Sequence, residues 1–408
     1  MARSQQEASI AQIMASRTGT DPADWFLVFK ARYGMQVAFE EIYAEMGPGE
    51  VATQLLTCCT AVDPILVAGL VPRYCEVSFD TAMIDSEALD ALGELRAVVA
   101  QHTYGIVDDA ATARLAQRAH DAGALLVEDC AHCVGRMAKG ESGEPLADIS
   151  FHSFGIEKML HTLLGGAVWV NPASPFSAVS RRVRDRLSVL PVSGARLDML
   201  ERLFVNECRV FNHVPRPVAR GLRHGLAALG LFEPAVSTAE QRGELSYAPM
   251  RPSDHVCEQA RAAFDRLDGD ERLRVEATRA YCRLFADMPG VEVPASTQLG
   301  QPLLKFPIVV RDTATADRII EECCTAGHYT SCWYRPELGP GVLDESAYHV
   351  PSDRSNLAVC DRMVACLATL PTNEGATQAT EVAEVVRRVV SSKKLAGTKP
   401  AHAVNRYT

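Results

Sequence analysis

Three short apolar runs, Ala124 to Val127, Ile149 to Phe154 and Ala167 to Val170, constrain the fold of this chain more than any other feature. Runs of this length with little polar alternation are buried on both faces, as in parallel strands covered by helices. Upstream, strand-like stretches at Val51 to Cys58, Leu70 to Val77 and Ala97 to Thr103 alternate with helical patterns from Pro64, at Asp80 to Leu95 and at Thr112 to Ala122. Such alternation predicts an α/β domain with a mostly parallel central sheet. Trp25 to Met46 reads as a helix, opened by Asp21-Pro22 and ended by Gly47-Pro48-Gly49.

At 408 residues the chain is too long for one small core. Between Pro175 and Gly230 it carries ten arginines against four acids. That excess is either a solvated helical face or a positive lobe for a diphosphate-bearing substrate or an anionic surface. Beyond it, a long helical pattern from Ser253 to Met288 leads into a strand at Leu303 to Val310 and a helix at Thr315 to Ala326. A strand near His328 to Tyr334 and helices at Asn356 to Leu367 and Thr377 to Val390 complete a smaller α+β unit. The expected division is therefore an N-terminal arm and large domain (1–245, including the arginine-rich excursion), a small domain (246–392) and a mobile polar tail (393–408).

A net charge of −10 argues against a general nucleic-acid binder. No run reaches the ~18 apolar residues of a membrane span, and Gln5, Gln6 and Glu7 interrupt any signal-peptide pattern, so a cytoplasmic protein is expected. The thirteen cysteines include Cys130 and Cys133 at two-residue spacing, without the second pair of a zinc ribbon. Reduced, buried thiols and no metal are expected.

The central stretch carries the chemistry. Glu128-Asp129 ends one apolar strand, Lys158 follows the next, and Gly165-Gly166 opens the third. Ligands of α/β sheets gather at the carboxyl ends of strands. An anion for a ring nitrogen together with an amine for an aldehyde is what pyridoxal phosphate requires. Ser153 is suited to donate a hydroxyl to its phosphate, and His132 to bond its phenolic oxygen or pack on its ring. Taken singly, Asp129 reads equally well as a loop cap and Lys158 as a surface lysine.

The same residues, His102-Thr103-Tyr104-Gly105, Glu128 to His132, Ser153-Phe154, Lys158 and Gly165-Gly166, resemble the DegT/DnrJ/StrS family of pyridoxal-phosphate-dependent sugar aminotransferases. Gly47-Pro48-Gly49-Glu50-Val51, Ala68 to Pro72, Ser253 to Leu267 with Arg279-Ala280-Tyr281, and Leu370-Pro371 extend the resemblance over most of the chain. It implies the aspartate aminotransferase-like fold (fold type I): a large domain with a mostly parallel mixed sheet plus a small α+β domain. It also implies that Lys158 forms the Schiff base, Asp129 partners the pyridine nitrogen, His132 lies near the phenolic oxygen and Ser153 holds the phosphate.

The implied reaction moves an amino group from glutamate or glutamine to a keto sugar (nucleotide-linked) or cyclitol, in a homodimer. A dehydratase of the same family and a non-catalytic binding or regulatory member are the alternatives. Family dehydratases replace the lysine with histidine, so Lys158 favours transamination. The chain departs from the family in three places. Tyr33-Gly34-Met35 stands where a Ser-Gly-Thr phosphate loop is usual, leaving backbone N–H groups at Gly34 and Met35. Cys58 replaces a stacking aromatic, and Pro249 falls where a neighbouring subunit's asparagine is usual. Specificity is expected from loops around Tyr104, His161 and Trp333-Tyr334-Arg335. Arg335 is either a carboxylate or phosphate ligand or a surface arginine.

Overall fold

The computed structural model describes residues 3–392 except residue 215. Ser4 caps α1 (Gln5–Thr18) by accepting from Glu7 N–H, and Glu7 reaches back to Ser4 N–H, forming a capping box. Next come β1 (Trp25–Val28), α2 (Ala31–Met46), β2 (Glu50–Thr53), α3 (Cys59–Val67) and β3 (Val71–Tyr74). The same layer continues with β4 (Leu95–Gln101), α4 (Asp109–Asp121), β5 (Leu125–Asp129), β6 (Ile149–Ser153) and β7 (Gly166–Val170).

These strands form one seven-stranded sheet in the order β1-β7-β6-β5-β4-β2-β3. The five strands from β3 to β6 run parallel, and β7 is antiparallel to both of its neighbours. All residues of β5 and β7 are buried, the carboxylates Glu128 and Asp129 at the end of β5 included.

Two expectations for this layer need correction. Trp25 to Val28 is a strand, and the helix starts only at Ala31. The four apolar residues in succession bury both faces of β1 against β7 and its covering helices, which a one-sided helix does not do. Asp80 to Leu95 is not an α-helix either. Ala82 turns the chain at φ 53°, Val77 bridges Ile84, and only a 3₁₀ segment, Ser86–Ala91, follows. Met83, Ile84 and Leu89 reach the core from this irregular path.

Helix α2 crosses the sheet closely at Gly34, where a Cβ would lie 2.4 Å from Val168 Cγ2. Gly34→Ala should therefore lower the urea-unfolding midpoint. Overpacking costs about 1–3 kcal/mol, against about 1 kcal/mol gained by removing a glycine from a helix interior. A raised midpoint would show that Val168 yields freely.

The arginine-rich excursion forms α5 (Ser177–Ser188), α6 (Ala195–Asn212) and α7 (Arg216–Ala228). Arginines of α5 face carboxylates of this chain: Arg182 Nε lies 2.8 Å from Glu41, and Arg184 Nη1 2.6 Å from Asp24. The remainder comprises α8 (Asp254–Phe285), β8 (Val291–Glu292), β9 (Phe306–Val310), α9 (Thr313–Thr325), α10 (Ala358–Cys366), β10 (Leu367–Leu370) and α11 (Gly375–Ser391). Its antiparallel sheet has the order β10-β9-β8. The strand expected near His328 to Tyr334 is reduced to one bridge, Ser331 with Thr369, and β10 occupies the place beside β9. The tail from residue 393 lies outside the described residues. Among the described residues no helix is long and apolar enough to cross a membrane.

Candidate active site

At the end of β5 successive side chains point to opposite faces. Glu128 turns into the protein, where it is fully buried. Its Oε1 accepts from His102 Nε2 and Ala138 N–H, both at 2.7 Å, and its Oε2 accepts from the Ser150 hydroxyl at 2.5 Å. Against the cost of burial, Cys133 and the hydrogen-bonded Glu128 raise His102 to about 9. Burial also opposes ionisation of Glu128, but its bonds from His102, Ala138 and Ser150 hold it below its ordinary value. The donor atoms of His102, Glu128 and Cys130 lie within 4.8 Å of one another. Glu128 spends both oxygens on the network above, which satisfies it without an ion. The described cysteines are free thiols, Cys130 and Cys133 among them.

Asp129 points the other way, into a cavity of about 580 Å³ lined by Lys30, Arg32, Cys58, His132, Ser153, Lys158, Trp333 and Tyr334 as well. Among the described residues its carboxylate takes a single hydrogen bond, from Ala131 N–H to Oδ1 at 2.9 Å. Burial raises its pKa, opposed by that bond and by Lys158.

Lys158 follows β6 in a loop whose neighbours brace one another. His161 Nδ1 accepts from Glu157 N–H at 3.2 Å, and the Glu157 carboxylate accepts from the Tyr329 hydroxyl at 3.0 Å. Both Glu157 (φ 58°) and His161 (φ 55°) take the left-handed backbone conformation. The Lys158 amine makes no hydrogen bond or ion pair among the described residues and lies 5.4 Å from the Trp333 ring centroid. Burial lowers its pKa, opposed by Cys58, Asp129 and Glu157.

His132 is held at both nitrogens. Nδ1 accepts from Tyr104 N–H, and Nε2 lies 3.0 Å from the Tyr334 hydroxyl. Burial pushes its pKa well down, so the ring is neutral. With Nδ1 accepting, Nε2 carries the proton and donates to Tyr334. Tyr104 is fully buried and its hydroxyl donates to Trp333 O at 2.6 Å, so it supports the Trp333-Tyr334 wall from behind. The Arg335 guanidinium is already engaged, with Asp317 at 2.5 Å and Ala365 O at 2.7 Å.

The expected phosphate turn at Tyr33-Gly34-Met35 falls inside the first turns of α2. Tyr33 and Gly34 are buried within α2, and of that triplet only Met35 lines the cavity. Sequence reasoning missed Lys30 and Arg32, which flank the first residue of the helix and line the cavity themselves. Two cations directly after the five-residue apolar run Trp25 to Phe29, ahead of helical periodicity, are the signal that marks them. Cys58 opens α3 on the cavity wall and accepts from the Thr60 hydroxyl at 3.1 Å. Cys59, Thr60, Arg32 and Lys158 together draw its pKa down to about 6, against burial.

A carboxylate and an amine, each without an ion-pair partner among the described residues, face one cavity and shift each other's pKa. That donor set fits pyridoxal phosphate: an anion for the ring nitrogen, an amine for the aldehyde, and Ser153 with the start of α2 for the phosphate. The mixed sheet that presents them has the architecture of the fold type I aminotransferases. An aminotransferase, TlmJ, from Streptoalloteichus hindustanus superposes with a TM-score of 0.68 at 20% identity, covering 95% of this chain and 92% of the other. The sugar aminotransferase CalS13 from Micromonospora echinospora does so with a TM-score of 0.65 at 22% identity, over 95% and 92%.

Residues 33–175 match the DegT/DnrJ/EryC1/StrS aminotransferase family. An L-glutamine:2-deoxy-scyllo-inosose aminotransferase from Streptomyces fradiae is 34% identical over 153 residues, which is 37% of this chain. The match spans about a third of that relative's length, 34%.

Proposed function

We propose that this chain is a pyridoxal-phosphate-dependent aminotransferase, active as a homodimer. It would transfer an amino group from glutamate or glutamine to a ketone on a cyclitol or nucleotide-linked sugar. The observation that carries the reading is the pairing of Asp129 and Lys158 on one cavity, each without a hydrogen-bonded ion partner among the described residues. The class of acceptor and donor is supported by the family and by the glutamine-dependent cyclitol aminotransferase it resembles.

When bound, pyridoxal phosphate supplies an aldehyde that exchanges amines and a ring that draws electrons from the substrate. Asp129 sets a negative charge at the buried end of the cavity, which favours a protonated ring nitrogen. Lys158 offers a free amine at lower pH than an exposed lysine does, because burial disfavours its cationic form. The same amine would accept and return a proton at the substrate carbon. His132 fixes the Tyr334 oxygen as an acceptor and so leaves the Tyr334 hydrogen for the cavity. Trp333 and Tyr334 supply aromatic wall that excludes water.

The test uses purified protein loaded with pyridoxal phosphate. Glutamate or glutamine should bleach the visible absorbance as the cofactor is aminated, and a keto-cyclitol should restore it. A spectrum unchanged by either donor would overturn the reading. Consumption of the acceptor without a stoichiometric donor would instead assign the dehydratase chemistry.

A further inference from the structure

We infer that Lys30 and Arg32 bind the phosphate end of the cofactor and that Glu233 and Glu240 set how tightly they do so. The inference rests on the cofactor assignment above. Its first support is position. Lys30 bridges Gly165, and Gly166 packs on the first turn of α2 so closely that a Cβ there would lie 2.8 Å from Ala31 N. Gly166 is in register with Ser153 on the neighbouring strand. The start of α2 therefore lies one strand away from Ser153, on the wall that also carries Lys158.

The second support is charge. A helix N-terminus favours anions. Here Lys30, Ala31 and Arg32 place two cations at it and no hydroxyl, so charge replaces neutral donors. Hydrogen bonds from cations to phosphate are the strong kind.

Those cations are not free. Lys30 Nζ lies 2.5 Å from Glu233 Oε1, and Arg32 pairs with Glu240. The carboxylates are themselves anchored, Glu233 by the Tyr247 hydroxyl at 2.7 Å and Glu240 by Ser237 N–H at 2.6 Å. Between them, Pro234, Ala235 and Val236 line the same cavity, and Arg32 Nη2 donates to Ala235 O at 3.0 Å. The 233–240 segment thus lies as a strap over the cationic pair. Lys30, Glu233 and Glu240 are 8%, 6% and 2% exposed, so solvent screens the cluster weakly. Asp63, raised by burial to about 9, adds no charge near neutral pH, whereas Cys58 on the other side of Arg32 is drawn towards the thiolate.

A phosphate dianion entering this site meets two cations already shared with two carboxylates. Removing a cation must weaken phosphate binding, and removing a carboxylate must strengthen it. Ion pairs that merely hold the fold respond differently, since breaking either side harms them alike. The opposite signs separate the two roles.

The experiment titrates purified chain with pyridoxal phosphate and with phosphate-free pyridoxal, following absorbance and using inorganic phosphate as competitor. Arg32→Met and Lys30→Met should each weaken pyridoxal phosphate roughly ten- to a hundredfold and leave pyridoxal unchanged. Arg32→Lys, which keeps the charge and the pair with Glu240, should retain most of the preference for the phosphorylated form. Glu233→Gln should tighten pyridoxal phosphate several-fold and leave pyridoxal unchanged. Equal losses for both compounds in Arg32→Met, or weakened pyridoxal phosphate in Glu233→Gln, would overturn the inference while leaving the aminotransferase reading intact. Failure of the unaltered protein to bind either compound would overturn both.

Discussion

Lys158→Ala should yield a folded protein that has lost transamination by at least about 10³-fold, since in the proposed reaction the amine serves as both nucleophile and base. The structure also sets an expectation for stability. The Lys158 side chain is half-buried and its amine makes no hydrogen bond or ion pair among the described residues, so its removal relieves part of a desolvation cost and breaks no network. The thermal midpoint of the cofactor-free protein should hold steady or rise. Turnover and a melting curve on one preparation check both parts. Activity within tenfold of the unaltered protein would remove Lys158 from the chemistry, and a large loss of stability would show that it carries the fold instead.

Glu128→Ala should have the opposite profile, a large loss of stability that reaches the site indirectly. It leaves His102, Ser150 and Ala138 N–H without their shared acceptor in a fully buried position. Breaking one side of such a buried pair costs about 3–5 kcal/mol. The milder Glu128→Gln variant exposes the pH dependence. His102 is raised in the fold to about 9 from 6.5, so its contribution is complete below 6.5 and disappears as pH rises through 9. Glu128 is lowered from 4.5, so its contribution is present above that value and lost as pH falls. Urea unfolding should therefore show the largest gap between native protein and Glu128→Gln at pH 4.5–6.5. A gap that stays constant up to pH 10 would show that His102 does not carry the charge.

The parts of the site legible in the sequence are those fixed by strand ends. Asp129 and Lys158 stand out because an acid and a lysine follow unbroken apolar runs, and a strand's carboxyl end leaves little choice of direction. The start of α2 was obscured because Trp25 to Val28 supplies apolar residues that also fit a helical face. That merges β1 into the helix. Periodicity cannot separate a short buried strand from the helix that follows it. Lys30 and Arg32 were hidden for the same reason. Glu233 and Glu240 lie about two hundred residues from the cations they meet, and no local pattern encodes such a contact. Arg335 stays open in the sequence between a carboxylate or phosphate ligand and a surface arginine. Its partner, Asp317, lies on α9 and becomes visible only when that helix packs.

The strand order has a consequence for how the cavity comes into being. β1 is the first strand made, yet its only neighbour in the sheet is β7, the last. Gly165 N–H donates to Phe29 O at 2.6 Å, and that bond fixes the chain where it turns into α2. The cationic wall therefore cannot reach its place until more than a hundred intervening residues have been laid down. Sites assembled from such distant pieces close late, after the loop entropy of the whole layer has been lost. The pocket draws further wall from Pro234 to Val236 and from Trp333-Tyr334, so it is complete only once the chain beyond the sheet has folded back over the β1–β7 seam.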